Sequence, residues 1–195
     1  LRASISLASI YGLRMLGMFL ILPIFALYAT QYEGGNNSLM VGAALGAYGL
    51  TQTLFQLPFG MASDKFGRKK IIYIGLIMLV VGSIIAALAT DITMVILGRA
   101  IQGAGAVSAA VTALLADLTR EENRTKAMAM IGATIGVTFA ISLVLGPALA
   151  HWAGIAGIFW LTAVLASLAI LVVKFVVPNP TLSSFHSDAS AAPAK

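Results

Sequence analysis

Apolar residues run along this chain in long blocks separated by short polar punctuation. A helix needs about 20 predominantly apolar residues to cross a bilayer. Six blocks approach or pass that length, at residues 10–29, 39–62, 71–89, 94–116, 127–150 and 155–177. The first and fourth blocks hold one charge each, Arg14 and Arg99, and the second holds none. No formal charge occurs between residues 127 and 173, a stretch too long for one crossing. His151-Trp-Ala-Gly154 divides it into a fifth and a sixth span. The blocks are continuous and lack two-residue alternation, which excludes the strands of a membrane barrel. No small-residue cleavage site follows the first block, so it reads as a span and not as a signal peptide. Pro178-Asn-Pro180 ends the sixth helix, and residues 178–195, rich in Ser, Ala and Pro, read as a flexible linker. The expected fold is an all-α membrane protein, a bundle of six transmembrane helices.

Composition supports this and sets the orientation. The 195 residues are 59% hydrophobic and 10% charged, where a soluble domain carries about 25% charged residues. Each charge left in hydrocarbon costs several kcal/mol, which explains the deficit. The net charge of +5 would point to nucleic acid in a soluble protein; here the placement of Lys and Arg matters more than their sum, and no nucleic-acid partner is expected. Lys65, Arg68, Lys69 and Lys70 follow the second span, and Arg120, Arg124 and Lys126 follow the fourth. The other three connections hold no Lys or Arg, and their acids are Glu33 and Asp91. The basic connections therefore lie in the cytoplasm, as do both ends of the chain, near Arg2 and Lys174.

Candidate chemistry is sparse. Cysteine is absent and the two histidines, His151 and His186, are far apart, so no catalytic constellation, metal site or cofactor is expected. The informative stretch is Gly60-Met-Ala-Ser-Asp64-Lys-Phe-Gly67-Arg68-Lys69-Lys70. Asp64 and Arg68 are four residues apart, so a helical turn would put them on one face. Asp117 ends the fourth span on the same side of the membrane. Such an acid–base–acid cluster at a bundle mouth could hold one conformation and release it, although basic cytoplasmic loops also occur simply as orientation charges. Arg99, inside a span, is a functional candidate by its placement, with Gln102, Gly103 and Gly105 leaving room for close helix contact. Arg14 sits near enough to the cytoplasmic end to snorkel. Gln52 and Gln56, one turn apart, would face a polar cavity or bond a neighbouring helix. Gly42/Gly46 and Gly132/Gly136 read as packing pairs, and Pro58 and Pro147 as kinks.

The stretch 60–70 resembles motif A of the major facilitator superfamily, G-x-x-x-D-x-x-G-R-K/R-x. Leu97-Gly-Arg99-Ala-Ile-Gln102-Gly103-Ala-Gly105 resembles motif B, and Gly146-Pro147 the core of motif C. Motif C departs from the family pattern, with Ser142, Ala150 and His151 in place of glycines, which weakens its antiporter implication. The family has two six-helix halves, so the resemblance implies an amino-terminal half built of two inverted three-helix repeats. It implies a secondary transporter in a bacterial inner membrane, working by alternating access and coupled to protons as an efflux pump. Its partners would be the lipid bilayer, a small-molecule substrate, including lipophilic ones, protons, and a second six-helix half from the same native chain or another subunit. By the same resemblance Gly60 would contact the second half; Asp64, Gly67, Arg68, Lys69 and Asp117 would form a conformational gate, and Arg99 would serve proton coupling. The rival is a membrane sensor or scaffold that keeps this fold without transporting.

The chain has no cysteine, so single-cysteine substitutions report sidedness directly. Asn36→Cys is expected to react with a membrane-impermeant maleimide in intact cells, and Asn123→Cys only after permeabilisation. The opposite labelling would reverse the orientation.

Overall fold

The computed structural model describes residues 2–177, with side chains from residue 5 onward; the expected linker at 178–195 lies outside the described residues. The chain is helical along nearly all of this length. Helix α1 spans Arg2–Ile21 and is followed by the short α2, Phe25–Tyr28, and a 3-10 turn, Ala29–Gln31. The two pieces are bent by 45°. Pro23 explains the break, since it lacks an N–H and disfavours the helical conformation of the residue before it. The first span thus begins earlier than the apolar block at residue 10 and does not run unbroken to residue 29.

Helix α3, Ser38–Phe66, starts on Asn37, whose side chain accepts the Leu39 amide at 2.9 Å. It ends at Gly67, and α4, Arg68–Ala87, begins at the next residue. The expected basic loop at residues 63–70 is instead a one-residue corner. Gly67 sits at φ 100°, a conformation that a side chain disfavours. Helix α5, Ile92–Ala104, is capped by Asp91, which accepts the Met94 amide at 2.9 Å. Helix α6, Ser108–Asp117, follows after a break at residues 105–107, so the fourth span, expected to be continuous, is made of two pieces. At that break α4 crosses the chain closely: a Cβ on Gly105 or on Gly75 would overlap atoms of the opposite segment.

Helix α7 covers Glu121–Phe175 but leaves helical geometry at Gly154 (φ 64°). At about 1.5 Å per residue its 55 residues would far exceed the roughly 30 Å of a bilayer core. Gly146 lies against Leu20, whereas Thr162 donates to the Gly17 carbonyl at 3.3 Å. Residues before and after Gly154 therefore stand at similar levels of α1, and α7 is a hairpin of two arms. The helix runs on through Pro147, as α3 does through Pro58, and the non-helical residue in α7 is Gly154. Among the described residues the fold is thus a bundle of six helical segments: α1–α2, α3, α4, α5–α6 and the two arms of α7. Among the described residues α4, Ile92–Asp117 and α7 are long and apolar enough to cross a membrane, and the bent pair Ile5–Ile21 with Phe25–Gln31 qualifies as a broken span. Helix α3 is long enough but less apolar, because Thr51, Gln52, Thr53 and Gln56 dilute it.

Two apolar clusters hold the bundle together. One gathers Leu7, Ile10, Ile72, Leu76, Val111, Leu114 and Val173 towards the Gly67 corner. The other gathers Leu20, Phe25, Ala86, Ile92, Val95 and Phe159 towards the opposite end. At that end the connections before α3 and α5 are joined through backbone bonds, Glu33 N to Thr90 O at 3.3 Å and Ile92 N to Glu33 O at 3.0 Å. Helices α4 and α5 meet backbone to backbone. A Cβ on Gly82 would lie 2.6 Å from the Gly98 carbonyl, and one on Gly98 2.7 Å from the Gly82 carbonyl. In contrast, a Cβ at Gly42, Gly46, Gly132 or Gly136 would meet nothing within 4 Å. Those pairs do not pack within this bundle.

Gly98→Val is expected to lower thermal stability by about 1–3 kcal/mol, because neither backbone can retreat without opening the crossing. Gly132→Ala should leave the melting temperature unchanged or slightly raised. Thermal unfolding of the purified protein distinguishes the two.

Candidate functional site

Two groups of polar side chains stand out, one at an end of the bundle and one at mid-height. The first is organised by the Gly67 corner, which places Arg68 in the first turn of α4 next to the last turn of α3. Arg68 Nε donates to Asp117 Oδ2 at 3.0 Å, and Nη1 donates to Ser63 Oγ at 2.7 Å and pairs with Asp64. Ser63 is buried and donates to the Gly60 carbonyl at 2.7 Å. One guanidinium thus joins the end of α3, the start of α4 and the end of α6. The Asp117 and Asp64 side chains are 36% and 63% exposed, so each pair contributes about 1 kcal/mol or less. Lys69 points elsewhere, donating to the Val177 carbonyl at 2.7 Å beyond the end of α7. At Gly60 an added Cβ would sit 3.7 Å from Ala109, an ordinary contact, so nothing within this bundle requires glycine there.

The second group lies between the two apolar clusters. Arg14 on α1 and Arg99 on α5 are each only 2% exposed. They share Tyr48 of α3. Arg14 Nη2 donates to the Tyr48 hydroxyl at 2.9 Å and to Gln52 Oε1 at 3.2 Å. The Arg99 guanidinium lies over the Tyr48 ring, 4.8 Å from its centroid, a contact worth about 2 kcal/mol where water is excluded. Arg99 Nη1 donates to Gln102 Oε1 at 3.1 Å, Gln102 Nε2 donates to Ser83 Oγ at 2.8 Å, and Ser83 donates to the Leu79 carbonyl at 2.6 Å. Arg99 Nε reaches the Ala44 carbonyl at 3.4 Å. No carboxylate pairs with either arginine among the described residues. Arg14 Nε and Nη1 have no partner there either.

Gly103 and Gly105 make this layer possible, since a Cβ on Gly103 would overlap the Tyr48 carbonyl and one on Gly105 the Gly75 carbonyl. Arg14 does not snorkel: Tyr48 and Gln52 hold it inside, behind the cavity wall rather than on it. Gln52 both bonds this neighbour and, with Gln56, Tyr11, Ser108 and Thr112, lines a groove of about 440 Å³ between α1, α3 and α6. Gly146 is buried against the Leu20 carbonyl, and Pro147 is exposed. Residue reasoning missed Tyr48, Ser63 and Ser83. Tyr48 had a signal, standing one turn before Gln52; the two serines had none.

Tyr48→Phe should cost about 1–3 kcal/mol, since it strands a buried guanidinium donor. Tyr48→Leu should cost more, by the lost ring contact with Arg99. Melting temperatures of the two variants measure the difference; equal losses would mean that the ring contact contributes nothing.

The Major Facilitator Superfamily profile matches residues 7–194. The inner membrane transport protein YajR of Escherichia coli (strain K12) is 52% identical over 185 residues, covering 95% of this chain and 40% of YajR. The class E tetracycline resistance protein of Escherichia coli is 29% identical over 178 residues, 89% of this chain and 43% of that protein. The human organic anion transporter MFSD10 (TETRAN) superposes with a TM-score of 0.80 at 19% identity, covering 92% of this chain and 48% of its own. The chain spans about half the length of the curated relatives it matches. It belongs to the major facilitator superfamily and has the fold of that family's amino-terminal six-helix half.

Proposed function

We propose that this chain forms one half of a secondary transporter in a bacterial inner membrane, and that it works by alternating access against a second six-helix half. The observation that carries the reading is the Arg68 cluster. It ties three helix ends together through partly exposed pairs, which is what a latch that opens and closes each cycle requires. Asp64, Arg68 and Asp117 form the latch, Gly67 shapes its corner, and Gly60, unconstrained within this bundle, offers a close-contact point for the second half.

Proton-coupled efflux of small molecules, lipophilic ones among them, is the activity we favour. Its support is the motif B pattern around Arg99 and a relative named for tetracycline resistance. The arginine layer itself holds guanidinium, phenol, amide and hydroxyl groups but no carboxylate or imidazole. The proton carrier therefore lies at Asp117, at His151 or in the second half.

Arg68→Ala and Asp64→Asn, made in the native protein and reconstituted with an imposed pH gradient, should each slow flux about fivefold, the shift that a pair worth roughly 1 kcal/mol supports. Unchanged flux in both would reject the latch. Absence of flux in the unaltered protein across drug-like substrates would favour a sensor or scaffold instead.

A further inference from the structure

The connection between α6 and α7, with the first turns of α7, borders a second hollow, open on one side and of about 580 Å³, that the latch does not use. It stands at the end of the bundle that carries the basic residues, directly after Asp117. Its exposed lining carries the hydrogen-bond donors Arg120, Asn123 and Lys126, with Thr119 set deeper. Its floor is apolar, made by Leu118, Ala127 and Met130. Along α7 the residues Asn123, Lys126, Ala127 and Met130 follow helical i, i+3, i+4, i+7 spacing and form one stripe. Within about one turn that stripe passes from donors to apolar side chains, in the direction in which α7 enters its apolar stretch.

The charge of the hollow is unbalanced. Arg120 and Lys126 make no ion pair among the described residues, whereas the neighbouring acid, Asp117, is taken by Arg68. Glu121 and Glu122 belong to the first turn of α7, but both are exposed and neither lines the hollow. The Thr119 hydroxyl is shielded from solvent and has no partner there. Arg120 stands at the N-cap of α7 without a side-chain cap, so the positive end of a long helix opens beside the hollow.

Donors above an apolar floor, at the level where a membrane helix leaves the hydrocarbon, match the order of groups in a phospholipid: phosphate outermost, then glycerol and acyl chain. Two unpaired cations select a lipid of net negative charge over a zwitterionic one. We propose that this hollow binds the phosphate-bearing headgroup of an anionic phospholipid, with Arg120 and Lys126 holding the phosphate and Met130 and Leu118 meeting the glycerol and upper acyl chain. The site is independent of the transport reading and depends only on the membrane fold.

The test uses the purified native protein, titrated in detergent with dioleoyl phosphatidylglycerol or dioleoyl phosphatidylcholine and followed by native mass spectrometry and thermal unfolding. Phosphatidylglycerol should be retained and should raise the melting temperature; phosphatidylcholine should do neither. The double variant Arg120→Gln/Lys126→Gln should weaken phosphatidylglycerol binding about 25-fold, roughly fivefold for each charge. Arg124→Gln removes the same charge from the same connection but lies outside the hollow, and should stay within about twofold of the unaltered protein. An equal loss in Arg124→Gln, on a per-charge basis, would show diffuse surface attraction and overturn the proposal. So would equal binding of the two lipids, or no retention of either. Stabilisation by millimolar inorganic phosphate alone, with displacement of the lipid, would make this a free-phosphate site and overturn the lipid assignment.

Discussion

The constraint on which the bundle depends is the burial of two arginines around one tyrosine. Charged groups at mid-membrane depth are expensive unless they are paired or richly hydrogen-bonded, and neither Arg14 nor Arg99 has a carboxylate partner among the described residues. Tyr48 serves both, offering its hydroxyl to one and its ring face to the other. Ala44, Tyr48 and Gln52 lie on one face of α3, so the helix must present that face to α1 and α5 at once. Gln102 and Ser83 extend the same set of bonds to α4. Rotating α1, α3 or α5 by one residue would strand a guanidinium in an apolar interior, and rotating α4 would strand the Gln102 amide. The layer therefore sets the register of α1, α3, α4 and α5, and the apolar clusters above and below it supply attraction without specifying register.

Close approach is the second requirement, and glycine supplies it. The short side chain of Ser83 meets Gln102 where α4 and α5 lie nearly backbone to backbone, as Gly82 and Gly98 allow. Gly103 lets α5 reach Tyr48, and Gly75 with Gly105 lets α4 cross the break between α5 and α6. In lipid the hydrophobic effect does not bring helices together, so such van der Waals contact and interhelical hydrogen bonding carry the association. The glycines that meet nothing here, Gly42, Gly46, Gly132 and Gly136, occupy faces that this bundle leaves unpacked.

The two polar groups differ in strength because they differ in solvent. At mid-height water is excluded, and each contact is costly to break. At the Gly67 corner Asp64 and Asp117 remain partly wet, so screening weakens each pair. The same residue type, arginine, is buried among neutral partners in one place and paired with partly exposed carboxylates in the other. Local dielectric decides between them, and neither role is written in the side chain itself.

Much of this was legible from residue order. Apolar blocks of membrane length, the segregation of Lys and Arg into two connections, and the four-residue spacing of Asp64 and Arg68 are local properties, because a bilayer imposes length and charge rules on each segment separately. The break at Pro23 was legible in principle, since proline acts on its immediate neighbours. The fate of Arg14 was not. Its position near a span end allows snorkelling, and only the arrival of Tyr48 and Gln52, 34 and 38 residues away in the chain, holds it inside. The same holds for Ser63 and Ser83, and for the difference between glycines that pack and glycines that do not. By itself the sequence determined which segments are helices in a membrane and which side chains are charged. Tertiary structure alone decided which of those charges are buried and bonded, because that depends on side chains that meet only when distant helices share a level.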